Sequence, residues 1–250
     1  DSEGKRLMQL FQDANISTDG IYASANRRTT VKTRVLSDNK QLLRIDSEDT
    51  HLISQAEEDQ LFKQITSVVE SGIDGIIFED YNKGVLTPSL ISAVLSLAKA
   101  QQIPTTVDPK KDHFFEYKGC TLFKPNLKEL KEGLQVEFDF AGDKNAFLSA
   151  VTALENRLKN SISFITLSEH GVFIQKEKEP HFIPAHLRNI ADVSGAGDTV
   201  IAVATLCLIS GADVHSIAAI SNIAGGLVCE HPGVVSIEKE RLLNEVTKLL

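Results

Sequence analysis

The run Asp192-Val193-Ser194-Gly195-Ala196-Gly197-Asp198-Thr199-Val200 places two glycines around one small residue, an aspartate directly after them, and an apolar stretch beyond. This order reads as a loop that opens straight into a helix. The N–H groups of such a loop and of a first helical turn have no partner within the helix, and the helix dipole adds positive potential there. Glycines let a backbone approach an anion closely. Asp198 stands at the mouth of this anion site, where a carboxylate can take a proton from an attacking hydroxyl. An anion cradle with a carboxylate base is the apparatus of phosphoryl transfer. The simpler reading makes Asp198 an N-cap on a Gly-rich turn. By average residue usage the string Gly-Ala-Gly-Asp arises by chance in roughly one chain of this length in 200, so the chemical reading carries more weight.

A second marker is Lys124-Pro125-Asn126-Leu127-Lys128-Glu129. Asn126 can cap the helix that follows, and Glu129 three residues on completes the pattern of a capping box. The same side chains would also face nucleotide phosphates. The Glu129 carboxylate would then hold Mg²⁺ through water, because Mg²⁺ gives up its hydration shell reluctantly. Both readings stand on the sequence alone. Thr166-Leu167-Ser168-Glu169-His170-Gly171-Val172 reads as strand, turn and strand. Asp80, Asp108 and Asn126 each fall just beyond a predicted strand end, the edge of an open α/β sheet where ligands bind.

The elements that must position these residues follow from periodicity. Helices over 57–71, 88–100 and 141–159 alternate with strands over 75–78, 103–107, 121–123 and 162–167. Residues 172–174 and 181–183 read as a hairpin. Two helices follow the Gly-Ala-Gly-Asp loop, broken at Gly211, and a last helix covers 237–250. This alternation predicts an α/β fold with a mostly parallel sheet covered on both faces. Ahead of it, Arg6-Leu7-Met8-Gln9-Leu10-Phe11 is amphipathic, so the chain opens on a helix. Residues 29–36 and 41–46 form a hairpin of β-branched and charged residues about a turn at Ser37-Asp38-Asn39-Lys40.

A length of 250 residues with 42% apolar content suits one large domain over 1–250, with residues 21–46 as a small β insertion within it. The net charge of −8, from 34 acidic and 26 basic residues, argues against a nucleic-acid partner. It leaves room for a phosphorylated ligand, for which a few local cations suffice. Three cysteines without CxxC spacing give no disulfide framework or zinc site. No apolar run reaches the roughly 18 residues of a membrane span, and no signal peptide opens the chain. The expected setting is the cytoplasm, without a membrane partner.

The Gly-Ala-Gly-Asp run, paired with the upstream Asn-x-x-Glu, resembles the signature of the ribokinase/phosphofructokinase-B carbohydrate kinases. The resemblance covers essentially all 250 residues. It implies a ribokinase-like layered α/β/α core with a small β lid, and ATP-dependent phosphorylation of a sugar. Carried over, Asp198 is the base, and Gly195, Ala196 and Gly197 form the anion hole. Lys124, Asn126 and Glu129 would serve ATP and its Mg²⁺. Ser168, Glu169 and Gly171 would lie beside the nucleotide, with Asn222 at the adenine. Asp192, Ser194 and a loop at 231–236 that includes Ser236 would supply a K⁺ site.

Asp80-Tyr81-Asn82-Lys83-Gly84-Val85-Leu86, Val107-Asp108-Pro109-Lys110, residues 28–34 and residues 42–46 resemble the branch that phosphorylates heptose 7-phosphate for lipopolysaccharide synthesis. A sugar that already carries a phosphate needs cations, and Arg28, Lys32, Arg34, Arg44, Lys83 and Lys110 are available, with Asp80 and Asp108 for sugar hydroxyls. Arginine suits phosphate because it binds bidentately. Kinases of ribose or fructose phosphate, and a non-catalytic sugar or nucleotide sensor, are the alternatives. Lids of this kind pair between subunits, which implies a homodimer. Relatives begin with a strand and a sugar-contacting segment, and this chain matches them from a later point.

Overall fold

The computed structural model describes residues 1–37 and 40–250, so Asp38 and Asn39 of the expected turn lie outside the described residues. The chain forms two compact units: residues 1–73 with 82–100, and residues 74–81 with 101–250.

In the first unit, helix α1 (Ser2–Asp13) starts where the Asp1 carboxylate accepts from the Gly4 N–H at 2.7 Å. Strands β1 (Val31–Ser37) and β2 (Lys40–Ser47) pair antiparallel as the expected hairpin. Helix α2 (Gln55–Glu70) opens on a capping box between Ser54 and Glu57, and packs against helix α3 (Pro88–Ala100). Arg27 ties the unit together, because its guanidinium donates to the backbone carbonyls of Asp49, His51 and Lys83. The hairpin sorts its side chains. Lys32, Arg34, Arg44 and Asp46 lie on one face by register, and Thr33, Val35, Leu43 and Ile45 on the other.

The second unit is an α/β sandwich. Its sheet runs in the order β3 (Ile76–Glu79), β4 (Thr105–Asp108), β5 (Leu122–Phe123), β6 (Ile162–Thr166), β7 (Val172–Lys176), β8 (Glu179–Ile183). The first four strands are parallel, and β7 and β8 turn back as the predicted hairpin. Helices α4 (Leu127–Leu134) and α5 (Lys144–Leu158) connect β5 to β6. Helices α6 (Ala196–Ile209), α7 (Val214–Val228) and α8 (Lys239–Leu249) follow the sheet.

Strand alternation shows how both faces are covered. Ile162, Phe164, Val172 and Ile174 pack with Val200, Ile201, Ala204 and Ile217 from α6 and α7. Their neighbours of opposite parity face α5: Phe173 meets Phe147 edge-on at 4.9 Å, and the Ser163 hydroxyl donates to Glu155 at 2.9 Å. The mostly parallel sheet in a mixed α/β fold is the architecture expected from the sequence.

Element ends move from their predicted places for local reasons. The helix expected from residue 141 begins at Lys144, because the Asp143 carboxylate caps it by accepting from the Ala146 N–H at 2.9 Å. The strand expected from 103 begins at Thr105, past Pro104, which has no N–H to give a ladder. Among the described residues no helix is long and apolar enough to cross a membrane.

Phe147 is fully buried, with edge-on contacts to Phe140 at 5.0 Å as well as to Phe173. Phe147→Ala should therefore cost about 3–5 kcal/mol, read as a lower urea midpoint at unchanged m-value.

Candidate active site

Four segments of the second unit meet where β3, β4 and β5 end and α6 begins. Gly195 is the N-cap residue of α6, at φ +81°, a left-handed conformation that glycine takes without strain. No side chain caps this helix. The Ala196 N–H donates back to Val193 at 3.3 Å, which leaves the Gly197 and Asp198 amides at the helix mouth without an intrahelical acceptor. Asp198 is therefore not the N-cap of the simpler reading. It lies in the first turn, with its carboxylate exposed.

Behind the cradle sits a buried ion pair. Lys124 Nζ stands 3.0 Å from Asp108 Oδ2, with side chains 3% and 8% exposed. A Cβ at Gly197 would lie 3.5 Å from Asp108 Oδ2 and 3.6 Å from Lys124 Nζ, so the glycine brings the cradle directly against this pair. Burial pushes the Asp108 carboxyl above its usual range, and Lys124 and Lys110 oppose that shift. Lys110 bridges outward, 2.6 Å from Glu129 Oε1 and 4.0 Å from Asp108. Burial works against the Lys110 charge, but the bond to Glu129 and the nearby carboxylates hold its pKa above normal.

Glu79, the last residue of β3, completes the cluster. It was not among the residues singled out by motif. Carboxylate oxygens of Glu79, Asp108 and Asp198 all lie within 4.8 Å of one another, close enough to share a cation. Burial first, then the charges of Asp108 and Asp198, push the Glu79 pKa up to about 8. Asp80, expected at the sugar, is placed differently. It is 3% exposed, and its Oδ2 accepts the buried Tyr117 hydroxyl at 2.8 Å. Successive residues at a strand end point to opposite faces, so Glu79 takes the place at the cluster and Asp80 turns into the core.

The capping box is fully formed. Asn126 accepts from the Glu129 N–H, and Glu129 Oε2 accepts from the Asn126 N–H, both at 2.8 Å. With Lys110 on Oε1, both carboxylate oxygens of Glu129 are engaged. Ser168–His170 form a 3-10 turn after β6 that ends on Gly171 (φ +86°), where a Cβ would collide with the Ile183 carbonyl. The Asn222 amide donates to the Pro184 carbonyl at 2.8 Å. Asp192 joins two loops: Oδ1 accepts from the Ser194 N–H at 2.9 Å, and Oδ2 from the Gly233 N–H at 3.1 Å. Ser236, further along the second loop, is exposed.

The remaining cations belong to the first unit. Arg28 pairs with Asp49 at 3.5 Å, Arg44 with Asp46 at 3.1 Å, and Lys83 with Glu48. Arg34 stands directly across the hairpin from Arg44, and Lys32 across from Asp46.

A model described as pfkB family carbohydrate kinase matches residues 1–241. A bifunctional protein HldE from Methylobacillus flagellatus is 35% identical over 246 residues, 98% of this chain and 50% of its own length. Another from Pelobacter propionicus is 34% identical, with the same shares covered. The chain thus spans about half the length of these relatives. Among solved structures, phosphofructokinase-2 from Escherichia coli in complex with potassium superposes with a TM-score of 0.84 at 19% identity, covering 98% of this chain and 78% of that one. A structure described as a putative ribokinase from Agrobacterium tumefaciens gives 0.78 at 16%, covering 99% and 78%. These structural likenesses bear on the fold.

Glu79 makes stability depend on pH. The folded chain keeps a proton on Glu79 up to about pH 8, whereas the unfolded chain releases it near the ordinary glutamate value of 4.5. The folded state binds the extra proton between those values, so its contribution to stability falls as pH rises through that window. Urea midpoints measured from about pH 5 to 8 should decline with a shallower slope in Glu79→Gln than in the parent. Parallel slopes would mean that Glu79 is ionised throughout.

Proposed function

The chain belongs to the pfkB family of carbohydrate kinases, and on that premise we propose that it transfers the γ-phosphate of ATP to a sugar hydroxyl, with Asp198 as the general base. The observation that carries this reading is the placement of Asp198: a carboxylate in the first turn of α6, beside open backbone amides and at the edge where β3, β4 and β5 end. The Asp198 carboxylate accepts the proton of the attacking hydroxyl. The Gly197 and Asp198 amides, with the dipole of α6, stabilise the charge that grows on the transferred phosphoryl group.

Lys124 and Lys110 supply positive charge behind and beside the cradle. Glu129 suits an outer-sphere role toward Mg²⁺, because both its oxygens are already engaged by protein donors. The metal would offset charge on the nucleotide phosphates. Asn126, Ser168, Glu169, Gly171 and Asn222 are assigned to the ATP side. Asp192, Ser194 and Ser236 would hold K⁺. The Asp192 bridge between their two loops supports that assignment.

The acceptor proposed is heptose 7-phosphate. The strings around Asp80, Asp108, residues 28–34 and residues 42–46 support it, and the similarity to the two bifunctional relatives points the same way. The hairpin adds a physical reason. Arg34 and Arg44 face each other across β1 and β2, with Asp46 pairing Arg44 at 3.1 Å. A bound phosphate would use both guanidinium groups. We assign residues 21–46 as the lid of one kinase domain over 1–250, acting in the cytoplasm. The other face of the hairpin exposes Val35 (41%), Leu43 (53%) and Ile45 (54%). An apolar face of this kind suits pairing with the lid of a second copy.

Asp198→Asn should leave ATP binding nearly intact and lower turnover by about 10² to 10⁴, the usual scale for a general base. Near-normal turnover would place the base elsewhere. Arg34→Ala or Arg44→Ala should raise the sugar KM about tenfold or more, with little change in the ATP KM. The assay compares heptose 7-phosphate, fructose 6-phosphate, ribose and fructose on the complete protein. Equal or faster turnover of ribose would sink the heptose assignment. ATP binding without turnover of any sugar would favour a sensor.

A further inference from the structure

Tyr81 belongs to none of the groups that point to phosphoryl transfer, yet its phenol donates a 2.8 Å hydrogen bond to Oδ1 of Asp198, 117 residues away. The residue follows β3 directly, and the core fixes the segment that carries it. Its neighbour Asp80 donates its N–H to the Asp108 carbonyl at 3.1 Å and accepts the Tyr117 hydroxyl through its side chain. Tyr117 is fully buried, and its ring packs edge-on against Phe78 at 5.4 Å. The backbone at Tyr81 is thus anchored to the adjacent strand and to a buried ring, while the phenol itself reaches out to an exposed carboxylate.

An aspartate on the exposed first turn of a helix can rotate its carboxylate. The groups facing Asp198 from the packed elements are Glu79 on β3, Asp108 on β4, and Lys124 beyond β5. Lys124 is committed to Asp108, and Glu79 holds its proton up to about pH 8. Tyr81 supplies a neutral donor that fixes the carboxylate's orientation. The phenol takes Oδ1 and leaves Oδ2 without that bond. Burial, and then the bond to Asp198, raises the Tyr81 pKa above the ordinary tyrosine value, so the phenol keeps its proton and stays a donor at neutral pH.

We propose that Tyr81 is a positioning residue for the phosphoryl-transfer step: its phenol holds Asp198 with Oδ2 aimed at the acceptor hydroxyl. The inference rests on Asp198 being the base. A small error in the placement of a catalytic group costs orders of magnitude in rate, so one bond that fixes its orientation has a large effect on turnover.

A double-mutant cycle on the complete protein tests this. Tyr81→Phe removes only the hydroxyl from a residue that is 45% exposed, so the variant should melt within a degree or two of the parent. Its kcat should fall about tenfold, with the ATP KM unchanged within about twofold. In an Asp198→Asn background, Tyr81→Phe should change kcat by less than about twofold, because the group it positions is gone. Equal losses in both backgrounds would show that Tyr81 acts independently of Asp198, and would overturn the proposal. A faster Tyr81→Phe enzyme would overturn it too, because the phenol would then be blocking the base. Full activity in Asp198→Asn alone would instead remove the base assignment on which the proposal rests.

Discussion

The buried Asp108–Lys124 ion pair is the interaction on which the arrangement of this site depends. Both side chains are almost completely covered, and they meet at 3.0 Å beneath Gly197. Taking two charges out of water costs about as much as their attraction returns, so such a pair contributes little net stability. Removing one partner is severe, because it strands a buried charge. The pair therefore reads as a device for holding geometry. It joins the end of β4 to the segment after β5, beside the three carboxylates and the open amides at the start of α6.

The charge pattern around that pair has a logic. Three acidic groups within 4.8 Å would repel one another if all were ionised. Lys124 compensates Asp108, Glu79 keeps its proton to about pH 8, and Asp198 faces outward with a phenol on one oxygen. Lys110 extends the same network to Glu129 and so links the cluster to the capped start of α4. Carboxylates at such short range settle into different roles when their surroundings differ in burial and partners.

The first unit follows another principle. Among the described residues of its hairpin none is buried, and alternation along β1 and β2 separates charge from apolar surface. Two strands alone are marginally stable in water. The exposed Val35, Leu43 and Ile45 leave apolar surface in water on one face, while on the other Arg34 stands opposite Arg44, which pairs with Asp46.

Much of this was legible in the sequence, because it is governed by local rules. The Gly-Ala-Gly-Asp run opens a helix since glycine tolerates the turn and the first amides are left over. The Asn126–Glu129 box forms from two residues three apart. The alternation of apolar periods specified a mostly parallel α/β sheet, with element ends shifted by a residue or more, two of them by the Asp143 cap and by Pro104. Tertiary structure decided the rest. Periodicity placed acidic residues at the end of β3, but the face of the sheet that each would take depends on what packs there. Asp80 bonds the buried Tyr117, and Glu79, the residue before it, lies with Asp108 and Asp198. The Tyr81–Asp198 bond spans 117 residues, and no spacing rule along the chain encodes it, because it exists only once the sheet has brought the end of β3 beside the start of α6.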